Sequence, residues 1–332
     1  MLWIEKYRPA TFDHIIGQDQ VISMMRSAAR SGSLPHLLVT GPAGTGKSAA
    51  VECLGRELFG ERAGENTTTI QAMDLFEQGK KYLEGNERYA HIYRKEESLL
   101  TNFKNITRWY ASVRPLDAEF RIVIFEGASA LTREAQQALR RIMERYSRTC
   151  RFIYVTTRSS GIIPAISSRC LPFFFAPLSA GAIGEHLQAV LNCEFPAGQG
   201  IPADEIDLIA HAAGGDLRKA IMLLQVRSGS DGASGLVSWS QTETSRIANA
   251  ALAAIEGADL PSAIRKFEAL MIEYGLPSGE VMSELHAAVR RDYNDPRLVS
   301  ILADTDYRLT RCNNEYIQLN AMAARIVQEI FG

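Results

Sequence analysis

The sequence predicts a parallel α/β domain followed by two helical blocks. Three observations carry that expectation. Gly41-Pro-Ala-Gly-Thr-Gly-Lys-Ser48 has the spacing of a Walker A loop, G-x-x-x-x-G-K-[ST]. Five short β-type runs precede residue 176, with helical patterns between most of them. Such alternation argues for a parallel sheet flanked by helices. After Pro177 the strand signals fade, and helical stretches joined by Gly, Pro and Ser take over.

The β-type runs are His36–Thr40, Thr67–Gln71, Phe120–Phe125, Phe152–Thr156 and Pro172–Ala176. The first is short and apolar and reads as a buried strand. The stretch Ser48–Leu58, directly after the glycine loop, carries helical periodicity. Strand, glycine loop and helix start are the parts of a phosphate cradle. The glycines let successive N–H groups point at anionic oxygens. The helix N-terminus adds its partial positive charge. Lys47 is expected to reach the β- and γ-phosphates of a nucleoside triphosphate, and the Ser48 hydroxyl to take a place on Mg²⁺. The first helical block runs from about Ser179 to Arg227, Ser228–Gly235 reads as a linker, and a second block runs from about Ser238 to the end.

At 332 residues the chain suits two or three domains, and its 46% apolar content is ordinary for a globular protein. No apolar run approaches the roughly 20 residues that span a bilayer, so no membrane partner is expected. The opening residues show no signal-peptide pattern. Cys53, Cys150, Cys170, Cys193 and Cys312 are scattered and odd in number. They form no metal or disulfide framework, so a reducing, cytoplasmic setting is expected, with each thiol a small core residue. The net charge of −2 excludes a globally basic nucleic-acid binder. Any such contact must come from a local patch or from partner subunits.

Several motifs match one family in order and spacing. They are Trp3-Ile-Glu-Lys-Tyr-Arg-Pro9, Leu34-Pro-His-Leu-Leu38 leading into the glycine loop, Ser168-Arg169-Cys170, Gly215-Asp-Leu-Arg-Lys-Ala-Ile221, Asp306-Tyr-Arg-Leu309 and Asn314-Glu-Tyr-Ile-Gln-Leu319. Together they resemble the small subunits of archaeal replication factor C, the clamp loader, over nearly the full length. The resemblance implies an α/β P-loop AAA+ domain with a RecA-like parallel sheet (1–176), a helical lid (177–232) and an all-α collar (233–332). It implies ATP and Mg²⁺ as cofactors. The implied partners are the other small and large subunits, a ring-shaped sliding clamp and primer-template DNA.

The same resemblance assigns residues. Gly41, Pro42, Ala43, Gly44, Thr45, Gly46, Lys47 and Ser48 would hold the phosphates. Tyr7, Arg8, Pro9, Ile16 and Gly17 would border adenine and ribose. Arg169 would project as an arginine finger into a neighbour's ATP; the plain alternative is a surface arginine after a tight turn. Arg218 would act as sensor 2 on the chain's own γ-phosphate, or stand as a solvated helical arginine.

Two positions depart from the family pattern. A hydrolysing member reads Asp-Glu-Ala-Asp after its third strand. Here the strand ends Ile122-Val-Ile-Phe-Glu-Gly-Ala-Ser129. One alignment makes Glu126 the metal-side acid and puts Gly127 in place of the catalytic glutamate. A one-residue shift makes Glu126 the catalytic acid and leaves Phe125 at the metal side. Either way one of two carboxylates remains. The sensor 1 asparagine is replaced by Thr157, whose hydroxyl is shorter and differently directed. These losses predict a subunit that binds ATP, hydrolyses it weakly and serves its neighbours through Arg169. The alternatives are a fully active motor subunit, with Asp74 the nearest substitute carboxylate in sequence, or a subunit of another AAA+ machine such as a helicase loader.

The segment Leu75–Arg114 looks longer than the family norm and mixes basic, acidic and aromatic residues. It reads mainly as a solvated amphipathic insertion. Lys104 and Arg108 are four apart, so they share a helical face suited either to DNA phosphates or to plain solvent. The stretch Glu134–Tyr146 has an apolar face at Leu139, Ile142, Met143 and Tyr146. Its Arg140 and Arg141 fit a subunit boundary or simple exposure. In the last block Tyr316, Leu319, Ala323, Ile326 and Ile330 recur at helical spacing and are expected to pack.

Overall fold

The structure, a computed structural model, describes residues 1–32, 34–115, 117–195, 201–229, 243–292 and 295–331. The chain forms two compact units, Met1–Ser230 and Asp231–Gly332.

The first unit is built on five parallel strands: β1 (His36–Thr40), β2 (Thr67–Gln71), β3 (Arg121–Glu126), β4 (Cys150–Thr156) and β5 (Cys170–Phe174). Their order is β2-β3-β4-β1-β5. Side chains alternate across the sheet, as the period of two requires. Val123, Phe125, Phe152 and Tyr154 enter one core, while Ile122, Ile124, Ile153 and Val155 enter the core on the other face. Burial on both faces is why these strands are nearly continuous apolar runs. Phe125 stacks on Tyr154 with ring centroids 5.3 Å apart.

Three strands shift from the expected bounds; the fourth starts two residues early, at Cys150. The third includes Glu126 as its last residue, paired with Val155 of β4. The fifth starts two residues early, with Cys170 opposite His36. Phe175 N still donates to Thr40 O at 2.8 Å, and the chain then leaves the sheet. Pro172 sits in this strand because β5 is an edge, where a missing N–H costs no ladder bond.

The segment Leu75–Arg114 is less solvated than expected. Leu83 and Tyr89 are buried within the core of the first unit, and Tyr89 meets Tyr110 edge-on. Asn102 clamps the loop before the helix Leu99–Ser112: its Oδ1 accepts from Arg94 N and its Nδ2 donates to Arg94 O, both at 2.8 Å. The helix Arg133–Arg145 buries Leu139, Ile142 and Met143 as expected, with Tyr146 partly buried.

After β5, helices Ala180–Glu194, Ala203–Ala213 and Leu217–Ser228 form their own apolar cluster. The short helix Trp3–Lys6 joins them through Trp3. The chain start therefore packs with these later helices, not with the sheet that follows it in sequence. Of the expected linker Ser228–Gly235, Ser228 still ends the helix and Gly229 caps it; the rest, with the 232/233 boundary, lies outside the described residues.

The second unit is helical and has a separate core that includes Leu319, Met322, Ala323 and Ile326. Tyr316, expected to pack, is exposed, and Ile330 is partly buried. Among the described residues, no helix is long and apolar enough to cross a membrane. Of the five thiols, Cys53, Cys150 and Cys170 are buried, whereas Cys193 is exposed and Cys312 is intermediate.

Candidate functional site

A cavity of about 550 Å³ opens where the glycine loop meets the helical cluster of the first unit. Residues Ala43 to Ser48 line it, and Gly46 passes in left-handed conformation into the helix Lys47–Phe59. Gly41 and Pro42 stand behind the lining. Gly41 packs on the Phe175 carbonyl, and Pro42 O accepts from Thr45 Oγ1 at 2.9 Å and from Lys47 Nζ at 2.5 Å.

Gly44 shows why this loop needs glycine. Its φ is +66°, and a Cβ there would fall 1.7 Å from Asp216 Oδ1. Asp216 caps the helix Leu217–Ser228 by accepting from Lys219 N at 3.0 Å, and Leu217 N donates to Gly44 O at 3.2 Å. The helix that carries Arg218 thus begins against the loop, and Arg218 lines the same cavity.

Lys47 is 7% exposed. Burial lowers its pKa, Glu126 opposes that shift and Arg218 adds to it. Glu126 also lines the cavity. Burial pushes its carboxyl up, while the facing Ser48 hydroxyl favours the charged form. Phe125 is fully buried in the core and does not reach the cavity. Gly127 follows with φ +63°, and a Cβ there would meet Met73 Cβ at 3.3 Å. Met73 lines the cavity; Asp74 does not. Thr157 lines it from an exposed position just after β4, whereas the neighbouring Thr156 hydroxyl is already bonded to Arg158 N and O at 3.1 Å.

At the other end, Tyr7, Arg8, Pro9 and Ile16 line the cavity. Tyr7 Oη donates to Glu194 Oε1 at 2.8 Å. Arg8 Nε and Nη2 donate to Glu52 at 3.0 and 2.5 Å. These adjacent residues tie one segment to both the helical cluster and the helix after the loop. Gly17 is not in the lining; it presses against Leu178, where a Cβ would come within 2.6 Å. Sequence reasoning missed His186, Met73, Leu178, Leu217 and Ile221 in the lining. Most of these are apolar or sit at helical spacing, so they read as core.

Arg169 is not among the cavity's lining residues. It precedes β5 and pairs with Glu144 at 2.7 Å. Lys104 and Arg108 line a second cavity of about 610 Å³ between the helices Leu99–Ser112 and Arg133–Arg145. Arg133, Arg140, Arg141 and Arg145 join them, against the single carboxylate of Glu134.

The sheet order, the glycine loop and the cavity define a P-loop α/β protein of the AAA+ class. The replication factor C small subunit of Haloarcula marismortui is 34% identical over 98% of this chain and 95% of its own length. That of Archaeoglobus fulgidus is 33% identical over 97% and 96%, respectively. The chain belongs to the replication factor C small subunit family. A model described as DNA polymerase III, delta subunit matches residues 17–179, and one for the replication factor C C-terminal domain matches residues 241–325. Structures of two variants of Thermotoga maritima RuvB share the fold, with TM-scores of 0.54 and 0.51 at 14% identity, over 89% of this chain and 91% of theirs.

Proposed function

We propose that this chain is an ATP-binding clamp-loader subunit that hydrolyses its own nucleotide weakly and completes a neighbour's site through Arg169. The carrying observation is the contrast within one cavity. The phosphate loop, Lys47 and Arg218 are in place, while Gly127 offers no carboxylate beside Glu126. Binding and water activation are separable, so the first can persist when the second erodes.

ATP would lie with its phosphates on Ala43–Ser48 and its base toward Tyr7 and Ile16. Ser48 and Glu126 present hard oxygen donors that suit Mg²⁺. That ion, when bound, would neutralise phosphate charge. The placing of Phe125 in the core favours the alignment with Glu126 on the metal side. Thr157 stands at the sensor 1 position with a short hydroxyl. Arg218, beside the Asp216 contact to Gly44, would link phosphate state to the helical lid.

The domain division we favour is an ATP-binding sheet domain (1–176), a lid (177–232) and a collar (233–332), with the helix Trp3–Lys6 belonging to the lid by packing. Partners would be the other small and large subunits, a sliding clamp and primer-template DNA. The cation-lined second cavity supports a DNA-backbone role for Lys104 and Arg108. Work on replicating DNA would place the chain in the cytoplasm.

The test is calorimetric titration of ATP with Mg²⁺ into the chain and its Lys47→Ala variant, then turnover measured at this site within the assembled complex. Saturable binding lost in Lys47→Ala, with slow turnover, is expected. Brisk turnover at this site would instead favour a fully active motor.

A further inference from the structure

Glu194 is not among the residues that line the cavity, yet it holds one that does. Its Oε1 accepts from Tyr7 Oη at 2.8 Å and from Lys6 Nζ at 2.7 Å. Tyr7 is a lining residue. Its ring also meets Trp3 edge-on, 6.5 Å between centroids, and Lys6 Nζ stands over it at 5.5 Å from the centroid. The ring is thus held at its hydroxyl tip as well as along its body.

Local rules disfavour Glu194 where it is. It is the last residue of the helix Ala180–Glu194, where the helix dipole opposes a carboxylate. The carboxyl is charged all the same: the hydrogen bond from Lys6, then that from Tyr7, hold its pKa below the ordinary value. Burial, with the Glu194 bond, pushes the Tyr7 phenol up, so it keeps its proton and donates. A hydrogen bond to a charged acceptor is stronger than one between neutral groups. The next residue, Arg8, is bonded instead to Glu52, on the helix after the glycine loop. Two adjacent side chains of the cavity wall are therefore fixed by carboxylates on two different elements.

We propose that Glu194 is a positioning residue of the nucleotide site: it preorganises the Tyr7 ring as a wall for the base without touching the ligand. The proposal rests on the reading of the cavity as an ATP site with its base toward Tyr7. A ring released from Glu194 would have to be ordered by the ligand, and affinity would fall by that cost.

Calorimetric titration of ATP and of inorganic tripolyphosphate into the full chain tests it. Glu194→Ala takes the acceptor from the phenol; Tyr7→Phe removes the hydroxyl and keeps the ring. Each is expected to weaken ATP about two- to tenfold, the effect of leaving one side chain to be ordered on binding. Tripolyphosphate has no base, and its affinity is expected to stay unchanged. The double variant is expected to bind ATP no more weakly than the weaker single variant, because both changes cut the same bond. Glu194→Gln keeps an acceptor oxygen and is expected to bind ATP more tightly than Glu194→Ala. Unchanged ATP affinity in Glu194→Ala overturns the proposal. So does a parallel fall for ATP and tripolyphosphate, the mark of a merely structural role, and so do losses that add in the double variant. Wild type that binds neither ligand would overturn the ATP reading itself, a distinct failure.

Discussion

Arg169 Nη2 stands 2.7 Å from Glu144 Oε1, and its Nη1 donates to Ala165 O at 2.8 Å. The guanidinium is thus held at the surface by its own chain, away from the cavity that contains Lys47. A group acting in trans has to be presented outward, and this anchoring fixes where it points.

Arg169→Ala is expected to lower ATP turnover of the assembled complex and to leave the isolated chain's ATP affinity unchanged. A finger contributes about 10³–10⁵ in rate at the site it serves. Steady-state turnover after confirmed assembly is the measurement, and wild-type turnover would remove the finger role. The pair with Glu144 is largely exposed, so Glu144→Gln is expected to change chain stability by less than about 1 kcal/mol.

Gly127→Glu is not a simple repair of the water-activating site. The left-handed backbone at Gly127 disfavours any side chain, by about 1–2 kcal/mol. Both Gly127→Glu and Gly127→Ala are expected to lower the denaturation midpoint by similar amounts. Turnover is expected to stay low in the glutamate variant, because the strained backbone misplaces the carboxylate. Restored turnover at unchanged stability would show that the loop refolds to accept it.

Glu126 gives a pH signature. Its pKa is raised above 4.5 by burial, so the folded state tolerates the protonated form better. The stability from that preference is fully present below the ordinary carboxyl pKa and is lost as pH rises through the folded value. At neutral pH the buried charge is therefore a cost. Glu126→Gln is expected to raise the melting temperature of the nucleotide-free chain at neutral pH, with the gap closing in acid. The Mg²⁺-dependent part of ATP affinity is expected to fall in the same variant. A lower melting temperature at neutral pH would show that Lys47 and Ser48 outweigh burial.

The second cavity predicts a salt effect. Replacing Arg140 and Arg141 by Gln is expected to flatten the plot of log affinity for primer-template DNA against log salt. The slope changes by about one for each phosphate that the variant no longer neutralises. An unchanged slope in the assembled complex would mean that this face meets protein or solvent.

Legibility followed the range of the forces involved. The sheet, the glycine loop and the apolar face of the helix Arg133–Arg145 were readable because local periodicity determines them. Glu126 was readable as a carboxylate at the strand end, but that it lines the cavity while Phe125 enters the core needed the structure. The Gly44–Asp216 approach joins residues 172 apart in number, which no local pattern signals. The burial of Tyr89 was hidden by its charged neighbours. Tyr316 failed in the opposite sense: its spacing suited a buried stripe, yet the packed face runs through Leu319 and Met322.

The anchoring of the chain start to the helical cluster after β5 also gives the protein a native optical reporter. Trp3 is 8% exposed and meets Tyr7 and Phe195 edge-on, at 6.5 and 6.4 Å between ring centroids. Tyr7 lines the cavity, so an indole emitter stands one ring away from the cavity wall. Its fluorescence, separated from that of Trp109 and Trp239 by single replacements with Phe, would report changes in the packing of this helical cluster without an added dye.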